Sequence, residues 1–137
     1  MTELDIKLIE DKLNIKLPDF YIRTMLDYPF AYDSFGAEFS LCNSVKHVID
    51  CNGIFEPEDK CFSIGSDGGE FYYFIKLNGE EKVYVFDLEG SKEHLTVEAE
   101  TWADYLDIIS KQHEEILQDE LESAERKRNK KWWQFWI

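Results

Sequence analysis

The sequence predicts a single α+β domain in which a twisted, mainly antiparallel β-sheet is flanked by two N-terminal helices and a long C-terminal helix. Three observations lead to this prediction. Residues 1–28 have apolar side chains at helical spacing, residues 71–88 form two strand-like runs around an Asn-Gly turn, and helical spacing returns after Thr101. A chain of 137 residues that is 44% apolar can bury one sizeable core.

Start and stop signals define the first helix. Thr2 followed by Asp5 resembles a capping box, and the apolar spacing predicts a helix over residues 3–13. Asn14 suits a left-handed residue at its end. The face expected to be buried carries Leu4, Ile6, Ile9 and Leu13.

The second helix follows an extended step at Leu17-Pro18. Pro18 suits the first helical position, and Tyr28-Pro29 ends the helix. One side of it presents Tyr21, Met25 and Tyr28, with Phe20 and Thr24 beside them. We expect this side to face the core.

The middle of the chain, residues 30–77, has short apolar runs separated by Gly, Asn, Ser and Asp, which predicts strands and turns. Its strongest feature is a hairpin at Asn78-Gly79, where a type I′ turn requires positive φ at both residues. A two-residue loop would pair Phe74 with Val83. Because both faces of the hairpin are apolar, we expect it in mid-sheet, with helices covering one face and loops the other.

The segment after the hairpin predicts one short strand over residues 94–97 and then a long helix. Thr101 caps this helix, with Asp104 three residues on. Its apolar stripe has the spacing of a packed face and consists of Trp102, Tyr105, Leu106, Ile109, His113, Ile116 and Leu117. Beyond Leu121 the stripe fades.

Charge divides the chain into an acidic domain and a basic tail. Residues 1–123 hold 28 acidic and ten basic residues, a net charge of −18, whereas residues 124–137 carry +4. The acidic domain would repel a phosphate backbone, which excludes direct nucleic-acid binding, and it favours a basic partner. Its loop clusters supply the predicted partner-binding residues: Glu56, Glu58, Asp59, Asp67, Glu70, Asp87 and Glu89.

The tail is rich in tryptophan as well as basic. Its predicted docking residues are Trp132, Trp133, Phe135 and Trp136. Three alternatives remain open for them. They pack on the acidic domain, they dock on a partner or on a sister subunit in a homodimer, or they lie at an anionic membrane surface.

Bulk features restrict location and metal content. The acidic, amphipathic start is unlike a secretory signal, and no run of 18 apolar residues predicts a membrane span. Three cysteines do not form a disulfide framework, so we expect a reduced, cytoplasmic protein. Four residues, Cys42, His47, Cys51 and Cys61, could supply zinc ligands, but they lack the paired short spacing typical of such sites.

Catalytic signals are weak. The Gly-rich residues 65–70 lead into a strand and lack the P-loop lysine, so no phosphate site is implied. A carboxylate group of Asp67, Glu70 and Asp87 would be the alternative for an enzyme or metal protein, yet Asp and Gly are expected at turns in any case. These residues alone therefore predict no defined catalytic site and no cofactor.

Five ordered motifs are similar to those of one family. They are Ile9-Glu10, Leu17-Pro18-Asp19-Phe20-Tyr21 at a helix start, Phe62-Ser63-Ile64-Gly65-Ser66-Asp67-Gly68-Gly69-Glu70 entering a strand, Val83-Tyr84-Val85-Phe86-Asp87, and Thr101-Trp102-Ala103-Asp104-Tyr105-Leu106. Together they resemble the SUKH superfamily, which includes fungal cell-wall synthesis regulators and bacterial immunity proteins. The resemblance covers residues 5–110, and the basic tail lies outside it.

The resemblance implies an α+β domain without enzymatic activity. In bacteria it implies an immunity protein, that is, the antitoxin of a secreted or polymorphic toxin, often a nuclease. A toxin that attacks nucleic acid needs a basic cleft, which an acidic protein can occupy through electrostatically steered association. The alternative is a regulatory or scaffold adaptor of the same fold that binds a housekeeping partner.

Overall fold

The computed structural model describes residues 1–31, 34–69, 71–87 and 96–134, and for residues 57, 86–87 and 126–134 it describes the backbone alone. In chain order the main elements are α1 (Glu3–Leu13), α2 (Asp19–Leu26), a π-helix (Gly36–Ser40), α3 (Val45–Cys51), β1 (Cys61–Ser66), β2 (Phe71–Lys76), β3 (Val83–Asp87), β4 (Thr96–Ala99) and α4 (Trp102–Gln134). The predicted α+β fold class is confirmed.

The sheet has the strand order β1-β2-β3-β4, and each neighbouring pair is antiparallel. The β2–β3 hairpin therefore lies in mid-sheet, as predicted. The main core lies between one face of the sheet and the helices, and its sheet residues include Phe62, Ile64, Ile75 and Val83. On the other face, Phe74 and Tyr84 pack with Ile54 and Phe55 from the loop after α3.

The hairpin register differs from the predicted one by one residue. Phe74 lies opposite Tyr84, whereas the two-residue loop predicted Val83. The type I′ prediction is wrong because only Gly79 has positive φ, at 89°, while the Asn78 side chain accepts a hydrogen bond from the backbone two residues on at 3.0 Å. Since strand side chains alternate, this shift brings the rings of Phe74 and Tyr84 to one face, where they stack at 5.5 Å.

Helix α1 forms from local signals that the sequence predicts correctly. The Thr2 hydroxyl accepts a hydrogen bond from the Asp5 backbone, the Asp5 carboxylate accepts one from the Thr2 backbone, and Asn14 ends the helix with φ of 53°. Ile9 is fully buried. Leu4, however, is 79% exposed, so its predicted place on the buried face is wrong. At 3.6 residues per turn it lies roughly 150° around the helix from Ile6 and Ile9, on the opposite side.

Helix α2 joins the N-terminal part of the chain to α4. Pro18 has extended backbone and is the N-cap residue, not the first helical residue as predicted. Tyr21 and Met25 are fully buried. The indole nitrogen of Trp102 donates a hydrogen bond to the Thr24 hydroxyl at 2.8 Å. This polar contact lets Trp102 bury its ring against the helix without leaving its N–H unpaired.

The predicted strands and turns of residues 30–60 are wrong where the structure describes this region. It is mainly helical, with the π-helix, α3 and two short 3-10 turns at residues 52–54 and 57–59. A helical signal was present, because Ser44 caps α3 and Val45, Val48 and Ile49 follow at helical spacing. The first strand begins only at Cys61.

The outer edge of β1 is paired with a side chain instead of another strand. Asn52 is buried, and its amide nitrogen donates to the carbonyls of Val48, at 2.8 Å, and Ser63, at 3.0 Å. Its amide oxygen accepts from the Ser63 backbone at 2.7 Å. One side chain thus satisfies both backbone groups of Ser63 as a neighbouring strand would.

Helix α4 starts as predicted but leaves the core earlier. Thr101 accepts a hydrogen bond from the Asp104 backbone, and Trp102, Tyr105 and Ile109 are buried. Leu106 and His113 are half-buried, whereas Ile116 and Leu117 are exposed, so the predicted packing on the domain is wrong for the end of the stripe. The sheet is too short to cover a helix of 33 residues.

The predicted division at residues 123 and 124 falls inside α4, which continues unbroken to Gln134. The division itself stays a prediction, as does tail docking, because the aromatic side chains of the tail lie outside the described set. Strand β4 spans Thr96–Ala99, and residues 94 and 95 of the predicted strand also lie outside it. In the part of the chain that the structure describes, no helix is long and apolar enough to cross a membrane.

Substituting Asn52→Ala is expected to destabilise the fold by about 2–4 kcal/mol, because it leaves both edge groups of Ser63 buried and unpaired. Urea unfolding monitored by circular dichroism measures this. Asn78→Ala is the matched control, since it removes an exposed turn hydrogen bond, and its expected cost is below about 1 kcal/mol. Equal losses in the two variants would contradict the edge-pairing role of Asn52.

Candidate functional site

A cleft lies where the π-helix, α3 and the end of β1 meet. The π-helix sits directly on β1 because Gly65 has no side chain: a Cβ there would stand 2.1 Å from the Phe39 carbonyl oxygen and 2.5 Å from that of Ser40. Above it, the buried Tyr105 hydroxyl donates a hydrogen bond to the Ser40 carbonyl. The Cys42 backbone donates to the Ile64 carbonyl at 3.0 Å. These contacts fix the floor of the cleft.

The cleft contains two adjoining cavities of about 440 and 200 Å³. Glu38, Phe39, Cys42 and His47 line both of them. The smaller is also lined by Asp50, Cys51, Gly65 and Ser66. Apolar and thiol groups form its inner part, whereas the carboxylates of Glu38 and Asp50 belong to exposed residues. Such a shallow, acidic-rimmed site suits a protein side chain better than an enclosed small molecule.

The thiols in the cleft are not poised for nucleophilic chemistry. Burial raises the pKa of Cys42, and burial together with the neighbouring Cys42 and Asp50 raises the pKa of Cys51. A protonated thiol is a poor nucleophile and a poor metal ligand. Among the described residues, no three His, Cys, Asp or Glu side chains are grouped to hold a metal ion.

Exposed phenylalanines adjoin the cleft. The rings of Phe35 and Phe39 are 4.9 Å apart, and Phe35 is 36% exposed. Phe39 also lies 3.3 Å from the position of a Cβ on Gly68, so it joins the π-helix to the turn after β1. At the start of β2, Phe71 is 43% exposed. Aromatic side chains of this kind are typical anchors in protein interfaces.

The turn between β1 and β2 is built by Asp67. Its carboxylate accepts hydrogen bonds from the backbones of Gly69, at 2.9 Å, and Phe71, at 3.1 Å. Gly68 supplies the positive φ, 85°, that the turn needs. Asp67 therefore has the turn-forming role that its residue type favours, and it places a negative charge beside Phe71.

The predicted acidic residues fall at two ends of the sheet. Asp67 follows β1, and Asp87 ends β3 directly opposite Phe71, so these two positions lie at one end. Glu56, Glu58 and Asp59 precede β1 and lie about 20 Å away, at the end that holds the hairpin turn. There the Asp59 carboxylate accepts a hydrogen bond from the Glu56 backbone at 2.9 Å. Glu70 and Glu89 lie outside the described residues.

The structure adds site residues that sequence reasoning missed. Glu38, Phe39 and Asp50 were overlooked because residues 30–60 were expected to form strands and turns. The helical signal of α3 would have placed His47 and Asp50 on one exposed helix surface. No local signal predicts the π-helix, since its position depends on the close approach to Gly65.

Comparison with known proteins places this architecture in a family. The SMI1 / KNR4 family (SUKH-1) matches residues 1–108, more than three quarters of the chain. This chain belongs to that family. The match confirms the resemblance drawn from the motifs. The matched residues include the whole cleft but not the exposed part of α4. No curated protein and no solved structure matches the chain.

Placing a methyl group on Gly65, at the floor of the cleft, should break the contact between β1 and the π-helix. Gly65→Ala is expected to destabilise the protein by about 3 kcal/mol or more, because backbone atoms cannot move aside as a flexible side chain can. Gly53→Ala is the matched control, since nothing lies within 4 Å of its Cβ; it should change stability by less than about 1 kcal/mol. Similar unfolding midpoints in urea for the two variants would contradict the close approach.

Proposed function

We propose that this protein is a bacterial immunity protein that binds and neutralises a cognate toxin domain in the cytoplasm, without catalysing a reaction. Its membership in the SUKH-1 family supports an immunity role. The net charge of −18 over residues 1–123 supports a basic partner, such as the active cleft of a nuclease toxin. Of these observations, the net charge of residues 1–123 carries the proposal.

The proposed contact surface consists of the cleft and the adjacent sheet end. Phe35 provides an exposed apolar anchor, and Glu38, Asp50 and Asp67 supply negative charge around it. An apolar centre with a polar rim is the usual arrangement of a protein interface. The proposed contact surface also includes Asp87 and the predicted contact residues Glu70 and Glu89.

The second acidic cluster, Glu56, Glu58 and Asp59, is assigned a different part in the proposal. A standard interface covers about 800 Å² per partner, roughly 30 Å across, so a toxin centred on the cleft reaches the far cluster only at its edge. Charges at that distance act on the rate of encounter more than on the lifetime of the complex. We therefore assign these three residues to electrostatic steering.

Binding to the toxin encoded by the neighbouring gene tests the proposal. The variant E38Q/D50N should weaken the complex about tenfold at low salt, since two interfacial charges are lost. Phe35→Ala should raise the dissociation rate. The matched variant E56Q/E58Q removes the same charge from the far end and should lower the association rate alone. Surface plasmon resonance at two salt concentrations separates these effects.

Three outcomes decide between the parts of this proposal. No complex at low salt, together with no protection of cells that express the toxin, would refute the immunity role. A complex that is weakened only by E56Q/E58Q would keep the immunity role and move the interface to the hairpin end. Unchanged affinity in every variant would show that acidic residues do not direct binding.

A further inference from the structure

The outer part of α4 has no cover from the domain over residues 114–125, where the structure describes its side chains. Every residue from Glu114 to Glu125 is exposed, and the helix continues as one piece to Gln134. Residues 114–134 therefore extend for about 31 Å beyond the last half-buried position, His113. An isolated helical segment of this length is marginal in water, because helix stability in proteins comes mostly from packing.

Residues 117–132 of this segment carry a stripe that is mostly apolar. Leu117 is 46% exposed and Leu121 is 64% exposed. Ala124, Arg128 and Trp132 follow at intervals of three, four and four residues, which places all five positions on one side of the helix. The spacing is that of a helix–helix seam with a small residue, Ala124, at its centre.

Charge along the same segment changes sign at its middle. Residues 114–125 contain six acidic and no basic residues, whereas residues 126–134 contain five basic and no acidic residues. Two copies side by side in parallel would place like charges together. Two antiparallel copies would place the acidic half of each beside the basic half of the other.

We propose that α4 pairs with α4 of a second copy of this chain as an antiparallel helix pair centred on Ala124. In this register Leu117 lies opposite positions 131–132 of the second copy, and Leu121 lies opposite positions 127–128. Glu120 lies on one flank of this seam and faces Lys127 of the second copy, because positions 120 and 127 are seven residues apart and share that flank. The seam thus combines apolar positions with one opposite-charge pairing, which occurs twice by symmetry.

The length of the exposed segment fits this arrangement. With Ala124 at the centre, position 114 lies opposite position 134, so the overlap uses the whole exposed segment and stops where α4 enters each domain. The two points of entry are then about 33 Å apart, several times the Debye length of about 8 Å at physiological salt. Repulsion between the two acidic domains is therefore strongly screened.

Sedimentation equilibrium on the full chain tests the pairing. Wild-type protein should reach twice the monomer mass of 16.3 kDa as concentration rises. Both E120K and K127E should weaken self-association about tenfold, because each puts like charges in register at two symmetric pairings. D119K is the control for the first variant: its charge change is equal, but Asp119 lies on the far side of α4.

Mixing the two variants gives the sharpest readout. E120K with K127E restores opposite charges at both proposed pairings, so the mixture should form a heterodimer of near wild-type affinity. A wild-type chain that stays monomeric would overturn the proposal, including one that instead binds vesicles of phosphatidylglycerol. Failure of the mixed variants to associate, or an equal loss in the control, would also overturn it. Toxin binding by the monomeric variants would leave the proposed function standing.

Discussion

The covering of the β1 edge is the interaction on which the rest of the structure depends. An edge strand exposes backbone N–H and C=O groups, and residues 36–52 satisfy or cover those of β1. The Asn52 amide pairs with both groups of Ser63, and the Cys42 backbone pairs with Ile64. The same contacts hold α3 and the π-helix against the sheet. The cleft is therefore formed by the residues that cover the edge of β1, and its geometry depends on their contacts with that strand.

Elements with local signals could be predicted from the sequence, and elements defined by distant contacts could not. Thr2, Asn14 and Thr101 act within a few residues of themselves, so both α1 and the start of α4 were predictable. The π-helix exists because its carbonyls approach Gly65, which lies 25 residues farther along the chain than Ser40. The hairpin register depends on the turn, in which the Asn78 side chain accepts a hydrogen bond from the Glu80 backbone. Hydrophobic periodicity does not predict this contact.

The candidate site shows the same division. Residue type alone predicted that Asp67 forms a turn, but only the structure shows that the turn places Gly68 against Phe39 and the Asp67 carboxylate on the Phe71 backbone. The stripe on α4 was predicted to pack on the domain along its whole length, which is correct only for its first part. Periodicity cannot tell packing within a chain from packing between chains, and the short sheet leaves only Trp102, Tyr105 and Ile109 of the stripe buried in the domain.

The bond between Thr24 and Trp102 sets an order on folding during synthesis. These residues are 78 positions apart, and the indole also packs against the rings of Phe20 and Tyr21. The strands follow one another as a meander, so the sheet can assemble from contacts that are close in sequence. Helices α1 and α2 are made first but can complete the core only after the first turn of α4 has left the ribosome. Until then the nascent chain exposes the apolar face of α2, a surface that favours aggregation.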